Sequence, residues 1–123
     1  MNKRMLAPNR YCVAVLLLAV TAGAHERAAA GLPLAGVQRL PFEGFWGQEM
    51  DTLGFLADML GPGGGLDPPA ALILETVQAE GGLNVASPGW LRGLAALARE
   101  RGILLIVDDI QAGCGRTGRF FSF

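Results

Sequence analysis

The chain has few of the residues that build disulfide frameworks or metal sites. Its two cysteines, Cys12 and Cys114, lie far apart and form no Cys-x-x-Cys pair, which excludes a disulfide framework and a zinc site of the usual spacing. The single histidine, His25, has no second histidine or cysteine beside it, so we expect it on the surface rather than on a metal. These absences predict a chain without a metal site, in a reducing compartment.

An excess of charge of one sign is also absent. The 123 residues carry ten basic and eleven acidic side chains, for a formal net charge of −1. Phosphate binding needs a concentrated basic face, so this balance argues against nucleic acid as a partner. With 51% hydrophobic and 17% charged residues, the composition is globular and rather apolar. We expect so small a domain to associate unless a partner covers its apolar surface.

Two apolar strands flank an amphipathic helix in the second half of the chain. Residues 71–75 and 103–107 are short aliphatic runs, and their acids, Glu75 and Asp108, stand at the carboxyl ends. A Ser-Pro start and a glycine stop bound the helix predicted over 88–101. We expect a right-handed βαβ unit of an α/β fold, with parallel strands and the second strand buried on both faces. Both acids then lie at the sheet edge where such folds bind ligands.

The preceding segment predicts a helix and a connector. Apolar residues at helical spacing over 50–60, with Asp51 and Thr52 as start signals and a glycine-rich stop at 61–65, indicate an amphipathic surface helix. The stretch 32–47 is rich in proline and glycine, and it predicts a strand followed by a loop. Its aromatic residues are expected in the core: Phe42, Phe45 and Trp46.

Two blocks of the sequence resemble the signature of a known enzyme family. Residues 107–118, VDDIQAGCGRTG, are similar to the Asp-Glu-Val-Gln, spacer, Gly-x-Gly-Arg-Thr-Gly signature of class III aminotransferases. Residues 74–87, LETVQAEGGLNVAS, are similar to the Glu-x-x-Gln-x-Glu-Gly-Gly block of that family. The Asn-Val-Ala-Ser continuation, Asp109 and Cys114 most resemble the diaminobutyrate aminotransferases within it. The resemblance implies a partial large domain of fold type I, a three-layer α/β sandwich, with pyridoxal 5′-phosphate as cofactor.

The resemblance also implies roles for individual residues. Asp108 would face the pyridine nitrogen of the cofactor, where a carboxylate favours the protonated ring that withdraws electrons from the substrate carbanion. Ile110 would pack on one ring face, and Gln111 would lie near the ring hydroxyl. Glu75 and Glu80 would line the substrate side, the later acid forming a gate with an arginine in many members. The alternatives are a turn or cap acid for Asp108 and a turn acid for Glu80.

One residue that the family needs is missing. Its members hold the cofactor as a Schiff base on a lysine that also moves the proton, and the only lysine here is Lys3, outside the resembling region. We therefore predict a fragment that does not catalyse transamination alone. The intact enzyme would transfer an amino group between glutamate or 2-oxoglutarate and aspartate semialdehyde or diaminobutyrate. Its substrates would be amino acids and 2-oxo acids, and it would be a homodimer bound to neither nucleic acid nor membrane.

The amino terminus has two interpretations. Three basic residues among the first ten precede an apolar stretch at 12–20, and the small residues 22–24 follow at the spacing of a signal-peptide cleavage site. This pattern would indicate export, and the stretch is too short to span a bilayer. We favour the other interpretation, in which 1–15 is a divergent terminus and 16–123 is a partial cofactor-binding domain of a cytoplasmic protein.

Two rival functions fit parts of the sequence. Residues 113–118 match Gly-x-Gly-x-x-Gly, the dinucleotide-binding fingerprint, but neither the helix start nor the later acid that this fingerprint needs follows them. The other rival is a non-catalytic remnant or an exported small α/β domain, which the missing lysine favours.

Overall fold

Helix α1 begins at a side chain that caps its free backbone amides. In the computed structural model, which describes residues 36–123, α1 spans Thr52–Met59. Asp51 Oδ1 accepts the N–H of Gly54 at 2.8 Å, which satisfies an amide that has no partner inside the helix. The predicted helix over 50–60 is confirmed, and it is shorter by two residues at its start and one at its end.

Two parallel strands form the sheet that carries both acids. Strand β1 spans Ala71–Glu75, and strand β4, the last in the described chain, spans Leu104–Asp108. They pair in parallel, with Glu75 opposite Asp108 at the carboxyl end of the ladder. The predicted parallel βαβ unit and its α/β class are thereby confirmed, whereas the right-handed crossover stays a prediction.

A short hairpin that the sequence analysis missed follows β1. Strands β2 (Val77–Gln78) and β3 (Asn84–Val85) pair antiparallel. The Asn84 amide nitrogen donates to Gln78 Oε1 at 3.2 Å and to the Gly81 carbonyl at 3.0 Å. Strands of two residues are too short to show the alternation on which strand prediction depends.

Helix α2 (Pro88–Glu100) joins the hairpin to β4. Its cap is Ser87, whose Oγ accepts the N–H of Trp90 at 3.1 Å, and proline at the first helical position loses no hydrogen bond. Gly102 follows the helix with φ +67°, the left-handed conformation that glycine adopts without strain. The predicted helix over 88–101 is confirmed to within one residue.

The core lies between the two helices and one face of the sheet. Leu94 and Ala98 of α2 are buried together with Leu56 of α1, so apolar residues at helical spacing meet on facing helix surfaces. The other buried members of this cluster are Leu60 and Ile103, and the strand residues packed against it are Leu72, Leu74 and Leu105.

The opposite face of the sheet is exposed among the described residues. Ile73, Leu104 and Ile106 alternate with the core-facing strand residues, and Leu104 is 63% exposed. The prediction that the second strand is buried on both faces is therefore wrong for residues 36–123. Successive strand residues point to opposite faces, and the helices of this part of the chain cover only one of them.

The aromatic residues of the connector also depart from prediction. Within 36–47 the chain forms turns and no strand. Phe45 is 69% exposed and Trp46 is 48% exposed, so placing them in the core was wrong. The N–H of Phe45 donates to the Phe42 carbonyl at 3.1 Å, and this tight turn directs the following side chains outward. Phe42 itself is half-buried and packs on Trp90, with ring centroids 5.2 Å apart.

Predictions for the amino-terminal part lie outside the described residues. They concern the divergent segment 1–15, the apolar stretch 12–20 and the surface position of His25. Of the two helices within residues 36–123, neither is long and apolar enough to cross a membrane.

Candidate functional site

Two carboxylates face each other at the carboxyl edge of the parallel sheet. Glu75 and Asp108 are register partners on β1 and β4, and both are half-buried. Leu74, which precedes Glu75, packs against the core; because successive strand residues point to opposite faces, the two acids lie on the sheet face that the helices leave open. The predicted placement of both acids at one edge is confirmed.

The environment of this acid pair changes the pKa of Glu75. Partial burial raises the pKa of the Glu75 carboxyl above its ordinary value, and the negative charges of Asp108 and, to a smaller extent, Glu80 raise it further. A hydrogen bond from the backbone N–H of Ala79 lowers the pKa and opposes part of this shift. Two acids thus lie together at the sheet edge, and the charge of the more distant Glu80 adds to the negative potential at Glu75.

The raised pKa of Glu75 predicts a pH-dependent gain of stability in Glu75→Gln. The folded chain holds the Glu75 proton more tightly than the unfolded chain. The protonated Glu75 carboxyl therefore contributes stability that is fully present below the ordinary glutamate pKa. This contribution is lost as the pH rises through the pKa that Glu75 has in the folded chain. Glutamine keeps an oxygen for Ala79 but cannot ionise. We expect its stability relative to the natural chain to increase across this window and then level off.

Urea unfolding at a series of pH values measures this effect. Glu49→Gln, at an exposed acid between the connector and α1, is the matched control, and we expect it not to reproduce the pH-dependent rise of Glu75→Gln. A Glu75→Gln difference that is constant with pH would show that burial and Asp108 do not act on this carboxyl.

Asp108 also shapes the turn that follows β4. Its Oδ1 accepts the backbone N–H of Ile110 at 3.1 Å, and no residue of the described part donates to its Oδ2. Ile110 is 78% exposed, and Gln111 is exposed beside it. The structure therefore brings these three predicted residues together where β4 ends and an accessible turn begins. Their roles toward a cofactor stay predictions.

Glu80 lies apart from the strand ends, in the turn between β2 and β3. It is exposed, in agreement with the turn-acid interpretation, yet its charge reaches Glu75 closely enough to raise the pKa there. A role on the substrate side therefore stays a prediction that the position permits.

Three polar residues at this edge were missed by the sequence analysis as participants in the site. The Asp109 carboxylate accepts hydrogen bonds from the backbone N–H of Ser122, at 3.2 Å, and from the Ser122 hydroxyl. Ser122 Oγ lies 2.5 Å from Thr76 Oγ1. Because these partners are 13 and 46 residues apart along the chain, no local pattern could have signalled them.

The glycine-rich segment forms a folded-back turn. Cys114 donates its N–H to the Phe120 carbonyl at 2.7 Å, and Gly115 donates to the Arg119 carbonyl at 3.1 Å. At Gly113, an added Cβ would lie 2.7 Å from the backbone oxygen of Asp109, too close for any side chain. Bends and irregular chain rather than a helix follow this segment in the described chain, so the arrangement that the dinucleotide fingerprint requires is not observed.

Comparison with known proteins identifies the family. The sequence profile of the family Aminotransferase class-III matches residues 19–123. A diaminobutyrate–2-oxoglutarate transaminase of Vibrio cholerae is 58% identical over 106 residues, which are 86% of this chain and 26% of that protein. The Halomonas elongata enzyme of the same name is 54% identical over 80% of this chain and 24% of its own length. These relatives confirm the resemblance to diaminobutyrate transaminases, and the chain spans about a quarter of their length.

Ornithine aminotransferase from Toxoplasma gondii is 44% identical over 56% of this chain and 15% of its own, with a TM-score of 0.49. The family match covers both signature blocks and the whole βαβ unit. The chain therefore belongs to the class III aminotransferases, and its parallel βαβ unit lies within the residues that match this family.

Proposed function

We propose that this chain provides the ring-nitrogen side of a pyridoxal-phosphate site in a diaminobutyrate–2-oxoglutarate transaminase. One observation carries the proposal: Glu75 and Asp108 are register partners at the carboxyl edge of parallel strands, inside the segment that matches the family. The names of the relatives support diaminobutyrate and 2-oxoglutarate as one substrate pair, and we propose aspartate semialdehyde and glutamate as the pair on the other side of the reaction.

The residues at the edge fit a protonated aromatic nitrogen. Asp108 is half-buried, and its Oδ2 is free of donors from the described residues, while Oδ1 is occupied by Ile110. A partly desolvated carboxylate with one free oxygen can accept a charge-assisted hydrogen bond from a ring N–H⁺. The exposed side chain of Ile110 provides an apolar surface for the face of a planar ring.

Each residue would then have a defined task. The bound cofactor supplies an electron sink for the carbanion formed when the substrate loses its α-proton. Asp108 would hold a proton on the pyridine nitrogen, and Gln111 would orient the ring through its hydroxyl. Glu75 and Glu80 would face the substrate side, where their negative potential reinforces that of Asp108.

Catalysis requires more than these 123 residues contain. Their only lysine, Lys3, precedes the family match, which begins at residue 19. We therefore propose that this polypeptide alone does not transaminate. On the resemblance to the family alone, we also propose that the complete enzyme is a homodimer in the cytoplasm. The family match from residue 19 onward supports assigning 16–123 to the aminotransferase domain rather than to an exported protein.

A chimera tests the function. The segment of the Vibrio cholerae relative that aligns with this chain over 106 residues is replaced by the residues of this chain. We expect the chimera to bind pyridoxal phosphate and to transfer the amino group of glutamate to aspartate semialdehyde. A folded chimera that shows no visible absorbance of bound cofactor would contradict the proposal.

The 123-residue chain is the matched control. Mixed with pyridoxal phosphate, it should be inactive and should show no visible band that borohydride converts into a covalent adduct. An adduct on Lys3 together with turnover would overturn the expectation that the chain needs a lysine from elsewhere.

A further inference from the structure

The two strand ends are joined by hydrogen bonds directly beyond the acid pair. Thr76 directly follows Glu75, the last residue of β1, and Asp109 directly follows Asp108, the last residue of β4. Ser122 lies between them and contacts both. We call Thr76, Asp109 and Ser122 the strand-end network.

The number of available protons fixes the direction of each hydrogen bond in this network. The Ser122 hydroxyl has a single proton and donates it to Asp109 Oδ1, so Thr76 must be the donor to Ser122 Oγ, 2.5 Å away. The second carboxylate oxygen accepts the Ser122 backbone N–H at 3.2 Å. Thr76 is only 3% exposed, and a buried hydroxyl that loses its partner is costly. The network therefore holds its geometry firmly.

The network is also connected to the turn after β4. The backbone carbonyl of Asp109 accepts the N–H of Gly113 at 2.9 Å. Residues 110 and 111 lie inside the loop that this bond closes. Asp109 thus connects the end of β1, the end of β4 and the turn that carries the predicted cofactor contacts.

We propose that Asp109 is a positioning residue: through Ser122 and Thr76 it fixes the separation of Glu75 from Asp108 and the orientation of the turn bearing Ile110 and Gln111. The value of this positioning for catalysis rests on the proposed role of Asp108. The geometric claim stands without any cofactor, so the two can fail separately.

The test follows the titration of Glu75 in the full 123-residue chain. Carboxyl-labelled glutamate gives the pKa of this side chain by NMR, which reports its burial and its distance from Asp108. In Thr76→Val the shape of the side chain and all charges are kept, but the donor to Ser122 is lost. We expect the Glu75 pKa to fall toward its ordinary value because the strand ends separate and admit water. Asp109→Asn should shift it in the same direction.

Two matched variants complete the design. Thr76→Ser keeps the hydroxyl and should restore the titration of the natural chain. Asp67→Asn removes a charge at an exposed acid and should leave the Glu75 titration unchanged. If Thr76→Val does not fold, Ser122→Ala removes the central hydroxyl and takes its place.

Two outcomes would overturn the proposal. In one, Thr76→Val and Asp109→Asn lower the stability of the chain while Glu75 titrates as before, which would leave the network a purely structural role. In the other, Thr76→Ser shifts the Glu75 pKa as far as Thr76→Val does. A chimera that fails to bind pyridoxal phosphate, with the Glu75 shifts as expected, would instead contradict the proposed function and leave the positioning role intact.

Discussion

Asp108→Asn in the active chimera is expected to lower kcat for transamination by on the order of a hundredfold to a thousandfold, the loss seen when one preorganised electrostatic group is removed from an active site. Asparagine has nearly the same shape, and its oxygen can still accept the N–H of Ile110. It lacks the negative charge that favours a protonated pyridine nitrogen. The change therefore isolates the electrostatic contribution from the architecture of the turn.

Steady-state kinetics and the absorption spectrum of the bound cofactor measure this effect. The pKa of the ring nitrogen should fall together with kcat, while the thermal stability of the chimera changes little. Asp67→Asn, at an exposed acid away from the strand ends, is the matched charge control and should keep full activity. An Asp108→Asn chimera with unchanged kcat would show that another group carries the charge at the ring, and the assignment of Asp108 would be wrong.

Leu94→Ala is expected to lower the free energy of unfolding by about 2 to 5 kcal/mol, the range for deleting a buried leucine side chain. Leu94 is 4% exposed and belongs to the core cluster between α1, α2 and the sheet. The substitution loses the transfer free energy of the removed methyl groups and leaves a cavity. Since small domains have about 5 to 15 kcal/mol of stability in total, this single change removes a large share.

Urea unfolding followed by circular dichroism at low protein concentration measures this loss in the 123-residue chain. Arg92→Ala, at an exposed position of the same helix, controls for the change to alanine and should alter stability by less than about 0.5 kcal/mol. Equal stabilities for the two variants would show that the described cluster is not the folding core of the isolated chain.

Those parts of the site that depend on local sequence patterns could be predicted, and those that depend on contacts between distant residues could not. Glu75 and Asp108 could be placed at one edge because an apolar run, a capped helix and a second apolar run are local patterns that leave the βαβ topology few choices. Their roles toward a cofactor came from the resemblance of the two signature blocks. The raised pKa of Glu75 could not be foreseen, because it depends on partial burial and on the distance between strands.

What the sequence by itself determined is the set of elements whose causes are local. Asp51 and Ser87 cap α1 and α2 with their own side chains, and Gly102 ends α2 because it adopts a positive φ without strain. Capping and turn chemistry act within a few residues, so they can be read before any fold is known.

Only the tertiary structure decided which surfaces are open and which polar groups meet. The exposed face of Leu104 and the outward position of Phe45 depend on where the helices pack and how a turn is directed. The hydrogen bonds among Asp109, Ser122 and Thr76 link residues up to 46 positions apart in the sequence. Hydrogen bonds over such separations form only when the whole chain brings their partners together, and for that reason the strand-end network left no trace in local sequence.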